Sequence, residues 1–383
     1  MGYLFYYLGW KIKLYDYNTS QKRDNVFSEK KSYDCNGFFL LIVALITMFF
    51  SIIVAQYYTG QTPFDVLSNF QNGISIYYEY QRYFSNNNLD VFSLSKIPYI
   101  GMMFFCKFIM IFSYVTFAQS KKRMNLRIFL YLFAVSIAHL YIGVARGTSF
   151  EIFEWIILLF FILLSLNRTS TKKMFVRLIA LFSISMIAIY IFSNNISARG
   201  MKFSIYISRD VFYDDSSFIS IHFPGLSIII SKLFGYFAFG FYYTSTVVSE
   251  IWIKDLTSLI KGLLPFGFTL FDNIEVTEEI NSYIDTEAKW DPDSMVIFSN
   301  YGLLGIFVLA LLLGKLSRLI SDKTDKNAFD LIVLYICFMQ MISLPIGNFV
   351  TTSSATKLLV MFVILMSIWK SWKRFSFTKK IDD

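Results

Sequence analysis

Charged side chains are scarce in this chain. Of its 383 residues only 16% are Asp, Glu, Lys or Arg, whereas 55% are hydrophobic. A soluble domain carries roughly 25% charged residues, and that class is therefore excluded. The apolar residues form runs that reach the roughly 17 to 25 residues a helix needs to cross a bilayer. The sequence therefore predicts an all-α integral membrane protein.

Cysteine, histidine and the common catalytic motifs are scarce too. The three cysteines, Cys35, Cys106 and Cys337, form no CxxC pair, and the chain has only 2 histidines. We therefore expect neither a disulfide nor a metal site. Walker, HExxH and GxSxG motifs are absent as well. We therefore expect any chemistry to be acid, base or electrostatic catalysis outside the membrane, without a cofactor.

Eight apolar runs are predicted spans, within an expected total of about eight to ten transmembrane helices. They are Gly37–Tyr57, Ile97–Ala118, Arg127–Ala145, Thr148–Leu166, Val176–Phe192, Val296–Leu316, Phe329–Ile346 and Ala355–Trp369. The N-terminal region, three linkers and the C-terminal tail hold 23 of the 35 Lys and Arg residues. Because such an excess marks cytoplasmic loops, we place both termini inside. The pI of about 9.1 then reflects topology rather than nucleic-acid binding.

The run Phe223–Val248 fits this orientation only if it does not cross the membrane. If it crossed, the orientation of the C-terminal half would be reversed and its basic linker and tail would lie outside, contrary to the excess of Lys and Arg expected in cytoplasmic loops. The run contains Pro224, Gly225 and Lys232. Irregular backbone at membrane depth is tolerated where protein or a watery cavity covers it. We predict a re-entrant or interfacial pair of half-helices at residues 223–248. It belongs to a large outside loop, residues 193–295, in a single membrane domain of residues 1–383.

Three arginines on the predicted outer side are candidate anion ligands. Arg146 precedes Gly147 at a hairpin tip, Arg199 recurs in the same form in SARG, and Arg209 follows it. Arginine offers a planar fork that binds phosphate bidentately, and an adjacent glycine lets the backbone approach a ligand. We predict that they bind a lipid diphosphate. The alternative, which we favour for Arg82, is anchoring at the lipid interface.

Several ionisable residues lie within predicted spans. Glu151 and Glu154 are three residues apart on one helix face. Carboxylates at membrane depth face a cavity or a partner, so Glu154 is a candidate catalytic group. The alternative is that one of the two pairs with Arg146 and fixes the hairpin. Lys107 needs a partner for the same reason, and His139 is expected to be a hydrogen-bonded packing residue.

Two further candidate bases lie outside the membrane. His222 stands at the mouth of the predicted re-entrant run, and histidine acts as a base near neutral pH. Asp293 lies in WDPDS at the start of a span. The alternative there is that Asp291, Asp293 or Ser294 caps the helix.

Tyr283 and Trp290 are the candidate glycan ligands. Both lie in the acidic stretch FDNIEVTEEINSYIDTEAKWDPDS of the outside loop. Aromatic rings can lie against the C–H surfaces of a sugar, and carboxylates accept hydrogen bonds from its hydroxyl groups. This mixture of residues predicts a glycan site.

These segments together resemble the O-antigen polymerase (Wzy) family of bacterial inner membranes. YYTGQTPF with GISIYYEY resembles the family's first outside loop, and GVARGTSFEIFEWIILL resembles its arginine–glycine hairpin. SARGMKFSIYISR, GYFAFGFYY and LLPFGFTLF resemble its large periplasmic loop, and SMVIFSNYGLLGIFVLALLLG resembles its closing segment. The resemblance is one of layout and extends over most of the chain.

The resemblance implies a reaction at the periplasmic face. A growing glycan would move from undecaprenyl diphosphate to the non-reducing end of a new lipid-linked repeat unit, without a metal or a nucleotide sugar. The arginines Arg146, Arg199 and Arg209 would hold the diphosphate. His222, Asp293 or Glu154 would accept the proton of the attacking hydroxyl. The implied partners are the undecaprenyl-diphosphate-linked oligosaccharide, membrane lipid and a chain-length regulator protein.

Two other functions are open at this point. An O-antigen ligase shares the lipid donor and an arginine-rich loop, and relies on an outside histidine. A flippase or transporter moves the lipid-linked unit without chemistry and is expected to distribute charges along a central path. The predicted concentration of charge in one outside loop favours an enzyme.

Overall fold

The computed structural model describes most of the chain outside a few long linkers. The described ranges are 2–11, 37–71, 76–89, 93–119, 125–148, 150–166, 206–208, 211–212, 216–224, 239–254, 256–263, 292–323, 326–347 and 353–378, with single positions and pairs between them. The predicted span Val176–Phe192 lies largely outside these residues.

Helices make up most of the described chain. They are α1 (Gly2–Lys11), α2 (Gly37–Thr59), α3 (Pro63–Gln71), α4 (Ile76–Asn86), α5 (Ile97–Gln119), α6 (Leu126–Arg146), α7 (Phe150–Leu166), α8 (Phe218–His222), α9 (Phe239–Thr246), α10 (Leu256–Leu263), α11 (Asp293–Ser321), α12 (Ala328–Ser343) and α13 (Ser354–Thr378). Between α7 and α8, the short strands β1 (Tyr206–Ser208) and β2 (Val211–Phe212) form an antiparallel pair.

Four of the described helices are long and apolar enough to cross a bilayer. They are Gly37–Thr59, Leu94–Gln119, Leu126–Arg146 and Asn300–Ser321. Ala328–Ser343 and Ser354–Trp369 are shorter apolar helices. The expectation of a helical chain with helices suited to a membrane is confirmed at this level. The total of about eight to ten spans stays a prediction.

The described pieces of the predicted outside loop, residues 193–295, are short. α8 has 5 residues, and α9 continues as a π-helical stretch to Trp252. At 1.5 Å per residue, neither piece has the length of a span. Part of the segment at residues 223–248 lies outside the described residues, and its re-entrant or interfacial character stays a prediction together with the loop.

The largest apolar core joins α5, α7, α12 and α13. Its fully buried side chains include Met110, Leu158, Tyr335 and Leu359. Because lipid tails are as apolar as these side chains, helices associate in a bilayer through close packing rather than through exclusion of water. This packing fixes the positions of the helices that carry the buried charged residues.

α1 lies against α11 in close backbone contact. A methyl group added at Gly314 would overlap the Tyr6 carbonyl oxygen, and one added at Gly9 would overlap that of Leu311. Small residues allow this kind of approach between apolar helices. Arg318 donates to the last two carbonyl groups of α1 at 2.8 and 3.1 Å, which satisfies groups that a helix end leaves without a partner.

α11 is broken at Gly302, inside the predicted span Val296–Leu316. Gly302 has φ 64° and ψ −175°, a backbone conformation essentially restricted to glycine. Just before the break, the Asn300 side chain donates to the Val296 carbonyl at 2.7 Å. The sequence predicts a continuous helix here, and the structure has two helical pieces.

The start of α11 also differs from the predicted cap at Asp291, Asp293 or Ser294. Pro292 is the residue at the cap position and makes no side-chain capping hydrogen bond, and Asp291 lies outside the described residues. The physical reason is that Asp293 is fully buried, where Gln340 Nε2 donates to its Oδ2 at 3.3 Å. The Ser294 N–H donates to the carbonyl of the residue that follows α12, at 3.0 Å.

Candidate functional site

The α6–α7 hairpin holds Arg146 at the last turn of α6. Asn125 caps the start of that helix by accepting from the Ile128 N–H at 2.9 Å. The helix ends at Gly147, whose φ of 62° lies in the left-handed region that favours glycine. A methyl group at Gly147 would lie 2.7 Å from the Tyr77 nitrogen. The tip of the hairpin is therefore packed against α4.

Arg146 pairs with Glu151 across the hairpin. Its Nη2 donates to Glu151 Oε1, and its Nε donates to the Ile142 carbonyl at 3.2 Å. The Thr148 hydroxyl donates to Glu151 Oε2 at 3.2 Å. The arginine side chain is 20% exposed and the glutamate side chain 9%. The sequence leaves pairing of one glutamate with Arg146 open as an alternative, and the structure shows this pairing for Glu151.

Two phenols and a glycine surround this ion pair. The charge of Arg146 acts on the hydroxyl groups of Tyr58 on α2 and Tyr80 on α4. Burial raises the pKa of the Tyr80 hydroxyl, and the charge of Arg146 partly offsets this rise. A methyl group at Gly143 would overlap Glu151 Oε2. The pair thus occupies a polar niche formed by α2, α4, α6 and α7.

A second, more deeply buried cluster is centred on Lys107 of α5. Its Nζ donates to Glu154 Oε1 on α7 and to Thr356 Oγ1 on α13. The Lys107 and Glu154 side chains are 3% and 6% exposed. Since a buried charge without a partner is strongly unfavourable, these contacts supply the partner that the sequence requires for Lys107.

His139 and Tyr335 complete the second cluster. His139 Nε2 lies 3.1 Å from Glu154 Oε2, and the Tyr335 hydroxyl donates to the Glu154 carbonyl at 3.4 Å. Both carboxylate oxygens of Glu154 are therefore engaged. His139 is the hydrogen-bonded, buried residue that the sequence predicts. The role of Glu154 as a base stays a prediction, and it requires the carboxylate to leave one of these contacts.

The other two candidate bases lie elsewhere in the fold. Asp293 is buried at the start of α11, beside Gln340 of α12. His222 is the exposed last residue of α8, and its ring centroid lies 4.5 Å from that of Phe218. The three candidate bases are thus distributed over three regions of the structure.

The remaining predicted ligands, Arg199, Arg209, Tyr283 and Trp290, lie outside the described residues. Their roles in binding the diphosphate and the glycan stay predictions. Among the predicted diphosphate ligands, Arg146 is the one that the structure places.

Sequence reasoning missed Thr356, Tyr58 and Tyr80. Thr356 is 249 residues from Lys107 along the chain, so no local pattern links the two. Tyr58 and Tyr80 belong to a tyrosine-rich segment that the sequence predicts to lie outside, a composition that is also typical of the aromatic belt at a membrane interface. That richness is the signal that pointed to the region without singling out either residue.

No protein-family model, curated protein or solved structure matches this chain. Function is therefore inferred from the α6–α7 hairpin and the residues that contact it.

Proposed function

We propose that the protein polymerises lipid-linked oligosaccharide repeat units at the periplasmic face of the bacterial inner membrane. It acts as a metal-independent glycosyltransferase that moves the growing glycan from undecaprenyl diphosphate to the non-reducing end of a new unit. The observation that carries the proposal is the Arg146 side chain. It is 20% exposed at the end of an apolar helix, and its Nε is fixed by the Ile142 carbonyl.

Arg146 suits a diphosphate leaving group. As the glycosidic bond breaks, negative charge grows on the diphosphate, and a guanidinium already held in position stabilises that charge. Each hydrogen bond to a charged group contributes roughly 1.5–3 kcal/mol. Tyr58 and Tyr80 supply hydroxyl groups beside the same cation. We assign Arg199 and Arg209 to the same diphosphate.

The glycan and the proton need further residues. We assign Tyr283 and Trp290 to the glycan, because both belong to the acidic, aromatic part of the predicted loop. The base that accepts the proton of the attacking hydroxyl is one of His222, Asp293 and Glu154. His222 is the exposed member of this set, and Asp293 and Glu154 are buried.

A transporter of the lipid-linked unit is the second candidate, because of the cluster formed by Lys107, Glu154 and His139. These groups are buried and come from three helices. Ionisable groups inside a membrane mark substrate paths and proton relays. A flippase would use such a cluster to couple movement of the lipid to a change in protonation.

The test of function is a gel of surface polysaccharide, with analysis of lipid-linked intermediates, from cells that lack the gene. Single-repeat caps without a ladder are the result expected for a polymerase. Loss of all O-antigen from the core, with accumulation of lipid-linked polymer, would identify a ligase. Accumulation of unpolymerised units on the inner face would identify a transporter and remove the catalytic assignments.

The matching test of the site is Arg146→Ala in the complementing gene. We expect the ladder to disappear while single capped repeats remain, because the departing diphosphate loses its cation. Arg82→Ala is the control, since Arg82 is an exposed arginine of α4 that we assign to the lipid interface, and it should leave the ladder intact. Normal long chains from a well-expressed Arg146→Ala protein would contradict the assignment.

A further inference from the structure

We propose that binding of an anion at Arg146 is coupled to uptake of a proton by Glu151. This inference rests on the proposed function, because it requires an anion such as a diphosphate to bind Arg146. It adds a property of that site: when the niche accepts a negatively charged ligand, the Glu151 carboxylate loses its own negative charge by taking up a proton. Glu151 is therefore a positioning residue that regulates how available Arg146 is.

The first step is competition for the guanidinium. Arg146 already uses Nε for the Ile142 carbonyl and Nη2 for Glu151 Oε1. Bidentate recognition of a phosphate takes two parallel N–H groups on one side of the guanidinium fork. The two contacts of Arg146 lie on the edge formed by Nε and Nη2, and a phosphate that binds at this edge displaces the Glu151 carboxylate.

The second step is that the Glu151 carboxylate stays buried after it loses its contact with Arg146. Glu151 lies against Gly143 so closely that a methyl group there would overlap its Oε2. The same oxygen accepts a hydrogen bond from the Thr148 hydroxyl at 3.2 Å. With its side chain 9% exposed, the carboxylate lies largely inside the protein.

The third step concerns the groups that face the pair. On α2 and α4 these are the phenols Tyr58 and Tyr80, and on α7 it is Glu154, which Lys107 of α5 and His139 of α6 already contact. Among these described groups, the cations are thus engaged with Glu154 or with the incoming anion. A buried carboxylate that loses its cation is neutralised by a proton instead.

The coupling has a direction that can be measured. If one proton enters with each anion, anion affinity falls as the pH rises, by up to about tenfold per pH unit. Replacing Glu151 by Gln keeps the shape of the side chain and removes its charge. Affinity in Glu151→Gln should then be independent of pH and, near pH 8, at least about tenfold higher than in the wild-type chain.

The experiment uses the full chain in lipid nanodiscs and dimethyl diphosphate, a diester whose charge is constant over the range studied. Calorimetric titrations between about pH 5 and pH 8, in buffers of different ionisation enthalpy, count the protons taken up. We expect about one proton per anion in the wild-type chain and none in Glu151→Gln. Arg146→Ala should abolish binding.

The outcomes separate this inference from the proposed function. Absence of binding that depends on Arg146 would overturn both. Binding that depends on Arg146, with no proton uptake and no change in Glu151→Gln, would overturn the coupling and leave the proposed function standing. A count of no protons in the wild-type chain overturns the coupling by itself, so the inference can be contradicted even if a variant folds poorly.

Discussion

Glu151 and Glu154 lie three residues apart on the same face of α7, and each contacts a basic side chain. Glu151 pairs with one arginine that is 20% exposed, at a hairpin tip next to two phenols. Glu154 has a lysine and a histidine on its two oxygens and lies among four helices. A ligand that binds Arg146 replaces one contact of the pair formed with Glu151. Loss of Glu154 from the buried cluster would remove several contacts at once.

This difference shows how one helix can carry two ion pairs with separate roles. An ion pair at the rim can release its cation to a ligand, because the ligand replaces the lost charge. A buried pair that loses one member leaves a charge with no substitute, and its removal is strongly destabilising. We therefore expect the pair of Arg146 and Glu151 to exchange with a ligand more readily than the buried cluster, whose contacts also stabilise the helix bundle.

Lys107→Met should have the largest effect on stability, about 3 to 5 kcal/mol, because it leaves Glu154 buried beside His139 alone. The measurement is the free energy of unfolding in mixed micelles. The double variant Lys107→Met/Glu154→Gln is the control and should recover much of the loss. An equally unstable double variant would show that the charge of Glu154 is not the cause.

Thr356→Val should destabilise the protein by about 1.5 to 3 kcal/mol, since it removes a hydrogen bond to a charged group. Thr356→Ser keeps the hydroxyl and should stay close to wild type in the same unfolding assay. Equal losses in the two variants would point to packing at this position rather than to the contact with Lys107.

Gly143→Ala tests the rim pair and should cost about 1 to 3 kcal/mol, because the added methyl group forces Glu151 to move. Gly101→Ala is the matched control, as a methyl group there meets nothing within 4 Å. That control should be neutral or slightly stabilising. If both variants unfold at the same temperature in a thermal scan, the close approach of Glu151 to α6 has no energetic importance.

The exposed carboxylate of Asp65 should show the smallest effect. The Thr62 hydroxyl and N–H donate to it and lower its pKa. Its stabilising contribution is therefore present above the unfolded-state pKa and is lost as the pH falls through the lower folded-state value. The difference in stability between wild type and Asp65→Asn should be small at about pH 7 and vanish at about pH 2. A difference that persists in acid would contradict this assignment.

Sequence reasoning located helices well where a local signal ends them. The run Gly37–Tyr57 becomes a helix that ends at Thr59, and the run Arg127–Ala145 becomes one that ends at Arg146. The length of the apolar run and the polar residues beside it are properties of neighbouring residues. The same is true of Gly147, whose place after Arg146 predicts a hairpin tip.

For the contacts of the site, the sequence predicts the type of partner that a buried residue needs but not which residue supplies it. Burial of Lys107 requires an anionic partner, but the choice of Glu154 depends on how α5 packs on α7, 47 residues further along the chain. Asp293 illustrates the same limit, because its expected capping role gives way to a contact with Gln340, also 47 residues away. Such contacts depend on tertiary packing, which no local pattern encodes.

The break at Gly302 divides α11 into two helical pieces. The first piece contributes Met295 and Phe298 to a small core with α9, and the second lies in close contact with α1 at Gly314. Gly302, with its φ of 64°, is the residue at which the helix is interrupted. Because a residue with a side chain rarely adopts this conformation, glycine at position 302 is required for one chain segment to pack against α9 before the break and against α1 after it.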